Sequence, residues 1–129
     1  MLKTGILNPH LLSLLARIRH TNTLVIADRG FPYWPQIETI DISLVDDVPT
    51  VLMVLNAIRQ NFVIGAAWMA EEFLRANRES TQRAYLTALG SVKPAYEPHV
   101  DFKKRVPLAI GLIRTGDTTQ YGNIILESA

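Results

Sequence analysis

The sequence predicts an α/β fold: a three-layer α/β/α single domain over residues 1–129, with a mixed, mostly parallel sheet and a C-terminal strand pair. Three observations predict it. Apolar spacing switches repeatedly along the chain between helical and strand-like periods, which is the alternation of a layered α/β protein. A length of 129 residues is one domain's worth and is enough to bury a core without disulfides or a metal. Hydrophobic content of 48% against 19% charged residues fits a compact globule and not a disordered chain.

The elements follow in order. Asn8-Pro9 reads as an N-cap followed by proline at the first helical position, and Leu11, Leu15 and Ile18 then mark one apolar face of a helix expected to end near His20. Thr23 to Ala27 is a short uncharged run closed by Asp28-Arg29-Gly30, so it reads as a buried strand with Asp28 at its C-terminal end. After Phe31-Pro32-Tyr33-Trp34-Pro35, residues Ile37 to Leu44 read as a second strand. Pro49 opens a helix with Val51, Leu55 and Ile58 inward, and Val63 to Met69 is a third buried run. A more polar helix covers roughly Arg75 to Leu89 and stops at Gly90, a good residue just past a helix end. A short strand from Val92 to Tyr96 precedes a helix from Val100 to Arg105. Leu108 to Arg114 and Tyr121 to Leu126 are the last strands, joined through the turn-rich Thr115-Gly116-Asp117-Thr118 and expected to pair as a hairpin.

Composition excludes several functions. A net charge of +1 with scattered basic residues gives no electrostatic footprint for nucleic acid. The absence of cysteine removes disulfides, a thiol nucleophile and any Cys-ligated metal centre. Met1 is followed by no signal-like segment and no apolar run nears the roughly 20 residues that span a bilayer, so the expected location is cytoplasmic, with no membrane partner.

The polar residues placed at element ends carry the chemistry. Histidine titrates near pH 6.5 and can donate or accept a proton close to neutrality, which makes the placement of His20 and His99 worth following. His20 at a helix end is equally suited to hydrogen-bond terminal carbonyls, and Asp28 before Arg29-Gly30 is an ordinary turn former. His99 and Lys103 are four apart, so on a helix they present two donors together. Tyr121 and Asn123 are two apart, so on a strand they share a face, with Gly122 turned away. The Asp46-Asp47 and Glu71-Glu72 pairs diverge on any regular backbone and make a weak metal or glycosidase signal.

The motifs in order resemble one family. Lys3-Thr4-Gly5-Ile6-Leu7-Asn8, then His20-Thr21-Asn22, Leu24 to Asp28 with Gly30 and Pro32, and Ala70-Glu71-Glu72 are similar to the D-ribose pyranase family. His99-Val100-Asp101-Phe102-Lys103, Ile113 to Asp117 and Tyr121-Gly122-Asn123-Ile124-Ile125-Leu126 extend the likeness over essentially the whole chain. L-fucose mutarotases share the fold and several motifs, and the His99/Lys103 pair favours the ribose branch. The resemblance implies a cofactor-free, metal-free isomerase that interconverts pyranose and furanose forms of D-ribose or a related monosaccharide. It implies His20 as acid/base, Asp28 orienting that imidazole or binding a sugar hydroxyl, and His99, Lys103, Tyr121 and Asn123 holding the sugar. It further implies a homo-oligomer, a decamer or pentameric rings, with sites where subunits meet. The alternatives are an anomer-exchanging fucose-type mutarotase and a non-catalytic sugar-binding transport accessory. Arg29 departs from the family, where the residue after the aspartate is commonly small; it reads either as recognising an anionic sugar or as a surface arginine in a subunit contact.

Overall fold

The computed structural model describes residues 1–129. The chain begins with α1 (Pro9–Arg17) and β1 (Thr23–Ala27), followed by β2 (Glu38–Asp41), α2 (Val51–Ile58) and β3 (Ile64–Ala70). Then come α3 (Glu72–Ala76), α4 (Glu79–Leu89), β4 (Ala95–Glu97), α5 (His99–Arg105), a 3₁₀ turn at Val106–Leu108, β5 (Gly111–Arg114) and β6 (Ile124–Ser128). The six strands form one sheet in the order β2-β5-β1-β6-β3-β4. Parallel pairing links β2 to β5, β5 to β1 and β3 to β4, and β6 runs antiparallel to both of its neighbours, β1 and β3. The sheet is therefore mixed and mostly parallel, and β6 alone is reversed.

Both faces of the sheet are covered, which gives the three layers. Period-two alternation along β1 sends Leu24 and Ile26 into a core with Leu11 and Leu14 of α1, Val54 and Leu55 of α2, and Tyr85 of α4. Val25 and Ala27 face the other way, into a smaller cluster with Phe31, Phe102 of α5 and Val106. At about 25 cal/mol per Å² of apolar area removed from water, these two clusters supply the main drive for folding.

Several local readings hold. Asn8 caps α1 by accepting hydrogen bonds from the N–H groups of His10 and Leu11, with Pro9 at its start. Strand β1 has the bounds read from its composition, and Gly90, at φ 68°, ends α4.

Other boundaries move for identifiable reasons. Helix α1 stops at Arg17, short of His20, because Ile18 turns extended into the core while the Arg19 guanidinium takes the carbonyls of Ala16 and Ile18. The helix read from about Arg75 to Leu89 starts only at Glu79; a separate short helix ends at Ala76, where the Asn77 side chain donates to the Phe73 carbonyl. Helix α2 is capped by the Thr50 hydroxyl, which accepts the Met53 N–H, so Pro49 lies before the cap. The expected hairpin of the last two strands does not form. Strand β1 lies between β5 and β6, because an uncharged strand with two apolar faces is best buried with a neighbour on each edge.

Candidate functional site

The topology determines which residues meet. All five parallel strands end at the same edge of the sheet, and the reversed β6 begins there. Asp28 follows β1, His99 and Lys103 lie on the helix that follows β4, and Tyr121 and Asn123 precede β6. From β1 the chain moves to one side for β2 and to the other for β3, and clefts form at such switch points beyond the carboxyl ends of strands. A cavity of about 450 Å³ opens there, lined by Asp28, Phe31, His99, Lys103, Gln120, Tyr121 and Asn123 among others.

Asp28 and Asn123 form a reciprocal pair across 95 residues of sequence. The Asp28 N–H donates to Asn123 Oδ1 at 2.7 Å, and Asn123 Nδ2 donates to Asp28 Oδ2 at 3.1 Å. Asp28 Oδ1 also accepts the Gly30 N–H, closing the turn. Burial pushes the Asp28 carboxyl above its ordinary value, against the hydrogen bonds from Asn123, Gly30 and Phe31 and with added repulsion from Asp117. This carboxylate holds a proton more readily than a free one.

His99 is held from two sides. Its N–H donates to both carboxylate oxygens of Glu72, which fixes the start of α5. Its ring stacks at 6.0 Å on Phe102 and meets Tyr121 edge-on at 5.1 Å. Burial lowers the His99 pKa and the Lys103 charge lowers it further, opposed by Glu72 and Asp28, so the neutral imidazole is favoured. Its Nε2 is buried without a hydrogen-bond partner in the chain, while the residue itself lines the cavity. Tyr121 and Asn123 do not lie on a strand. Tyr121 has φ 55° in the turn before β6, and Gly122 sits under the Tyr85 hydroxyl, which donates to the Gly122 carbonyl at 3.1 Å. The two side chains line one cavity because of that turn and not because of strand pleating.

His20 lies elsewhere. It precedes β1 at the amino edge, is exposed, and contacts the Ala129 main-chain oxygen through Nδ1. Strand β1 alone, at about 3.3 Å per residue, puts roughly 15 Å between it and Asp28. Within one chain Asp28 therefore does not orient His20. Arg29 points away from the sugar-sized cavity: its guanidinium pairs with Asp46 at 2.6 Å, with both side chains more than half exposed. Residues that sequence reasoning missed are Gln120 in the cavity wall and Glu72 behind His99; Phe31, from the loop after Asp28, also lines the cavity. Glu72 stands in the Ala70-Glu71-Glu72 motif after the third buried run, a signal that marks the residue but not its contact with His99. No three His, Cys, Asp or Glu side chains gather closely enough to hold a metal ion.

Known proteins share this fold. The sequence profile of the RbsD / FucU transport protein family matches residues 1–129. The chain belongs to this family. Within it, the D-ribose pyranase of Geobacillus kaustophilus is 41% identical over 128 residues, covering 99% of this chain and 93% of that one. Among solved structures, Bacillus subtilis RbsD complexed with D-ribose superimposes with a TM-score of 0.93 at 31% identity, covering 100% of this chain and 98% of the other. The fucose mutarotase of Streptococcus pneumoniae in complex with L-fucose shares the fold, with a TM-score of 0.76 at 20% identity over 95% of this chain and 92% of that one.

Proposed function

We propose that this protein is an isomerase that interconverts the pyranose and furanose forms of D-ribose by acid/base ring opening and closure. The observation that carries this reading is the polar cradle at the carboxyl edge, Asp28, His99, Lys103, Tyr121 and Asn123 around one cavity, in a chain 41% identical to a D-ribose pyranase. Ring opening removes the anomeric hydroxyl proton while the ring oxygen gains one; closure through a different hydroxyl changes the ring size. The cradle supplies groups for holding and polarising hydroxyls: a carboxylate with a raised pKa, a largely neutral imidazole, an ammonium, a phenol and an amide. No step in this chemistry calls for a cofactor.

In this reading His20 is the proton-transfer group and comes from a neighbouring copy, since it lies at the opposite edge from its own cradle. The chain forms a homo-oligomer, in rings as the family resemblance implies, and folds as one domain that works in the cytoplasm. Exposed Leu7, Leu44, Val45 and Met53 support association, being apolar surface of the kind that subunit contacts cover.

NMR exchange spectroscopy on equilibrated ribose tests the reading. The protein accelerates pyranose–furanose exchange, and H20A loses roughly 10²- to 10⁴-fold of it while still binding ribose. Co-assembling H20A with D28N then restores activity at roughly a quarter of the sites, because each copy supplies what the other lacks. No restoration would place both residues in one chain and sink the shared site; no acceleration by the wild type would sink the enzymatic reading.

A further inference from the structure

Asp117 is the least exposed charged residue of the chain, at 2%, and pairs with no cation. Its hydrogen bonds all go to main chain or to Thr115. Oδ2 accepts the Val51 N–H at the start of α2, and Oδ1 accepts the Thr119 N–H, each at 2.7 Å. Its main-chain oxygen accepts the Arg29 N–H at 3.1 Å, next to Asp28. Its own N–H donates at 3.1 Å to Thr115 Oγ1, which in turn donates to the Ala27 carbonyl at the end of β1. One side chain and its peptide thus join the turn that carries Asp28, the turn that carries Gln120 and Tyr121, and the first turn of α2.

We propose that Asp117 is a positioning residue of the sugar site: it holds the Asp28 and Tyr121 turns in fixed relation and places an uncompensated negative charge behind Asp28. Two hydrogen bonds from backbone N–H groups and the positive end of α2 stabilise this charge where it is. It does not face the sugar; it acts through Asp28. The repulsion is felt at two groups, since it adds to burial in raising both the Asp28 carboxyl and the Tyr85 phenol. The charged or titratable groups around Asp28 are Asp117 from the same edge, His99 and Lys103 from α5, Tyr85 from α4, Tyr121 from the facing turn, and Arg29, which is engaged with Asp46.

The inference rests on the ring-exchange reading for its kinetic test. An asparagine at 117 keeps one acceptor oxygen but turns an NH₂ toward the other N–H, and it removes the charge. D117N is expected to lower ribose affinity or exchange by roughly 10-fold or more, the scale on which small misplacements of positioned groups are felt. It also moves the acidic limb of the exchange-versus-pH profile to lower pH, because Asp28 loses its repelling neighbour. T115V removes the hydroxyl that ties Asp117 to β1 but keeps the charge; it weakens ribose binding with the limb in place, and it decides the matter if D117N does not fold. Wild-type affinity in T115V, or in a folded D117N an unmoved or upward-moving limb, overturns the proposal. Failure of the wild type to accelerate exchange would instead overturn the function.

Discussion

Replacing Asn123 with alanine is the sharpest probe of the cradle, because the residue is 2% exposed and both of its polar bonds run to Asp28. The truncation leaves the Asp28 N–H without its acceptor, which costs about 1–3 kcal/mol for a buried donor, and removes a bond to a charged carboxylate worth about 1.5–3 kcal/mol. Water entering from the adjoining cavity recovers part of this, so the net loss is about 3 kcal/mol. For a chain of 129 residues, that lowers Tm by roughly 10–15 °C at fixed protein concentration. The pH dependence has a definite sign. The folded pKa of Asp28 lies above its unfolded value, so its contribution to stability is present below about pH 4 and is lost as pH rises through the folded value. Asn123 favours the charged form; N123A therefore raises the Asp28 pKa further, costs more stability at neutral than at acid pH, and moves the acidic limb of ring exchange upward. Circular dichroism melts from pH 4 to 7, with exchange spectroscopy over the same range, measure all three. A Tm within about 2 °C of wild type with an unmoved limb would refute the idea that this pair builds the site.

Two further substitutions test the electrostatics and the scaffold. K103M removes one of the two influences that depress His99, burial being the larger, so the imidazole titration followed by NMR shifts to higher pH; an unchanged midpoint would mean that the two side chains do not interact. G116A places a Cβ 2.2 Å from the Val45 carbonyl oxygen and 2.9 Å from that of Val48, backbone atoms that cannot swing aside, and urea unfolding should show a loss of about 3 kcal/mol or more.

What the sequence disclosed was local. The Asn8 cap, the uncharged β1 and the Gly90 stop depend on residues within a turn or two, and each is found at or close to its expected place. The i, i+4 placement of His99 and Lys103 is local too, and both side chains line the cavity. Failures came where distant groups decide. Asn77 breaks a helix with a side chain that also donates to the Gln120 carbonyl, and Asp117 satisfies the first N–H of a helix 66 residues away. No periodicity encodes such bonds. The β-prone neighbourhood of Tyr121 predicts a strand, but the residue stands in a turn at φ 55°, with the Tyr85 hydroxyl close against Gly122.

The unformed hairpin and the distance of His20 from the cavity have one cause. Had β6 paired with β5, Asn123 would stand over β5 and the reciprocal bonds to Asp28 at the end of β1 could not form. Because β6 lies reversed beside β1, its first residues complete the cradle at the carboxyl edge and its last ones reach the amino edge, where Ser128 accepts the Thr21 N–H and Ala129 meets His20. The same strand that completes the cavity wall therefore fixes His20 a full strand length away from it. If His20 transfers the proton, as proposed, no flexing of a turn within one chain brings it home, since closing that distance means unpairing the most buried strands of the sheet. Association with another copy is then a requirement of the chemistry itself, and the cradle of an isolated chain binds sugar without turning it over.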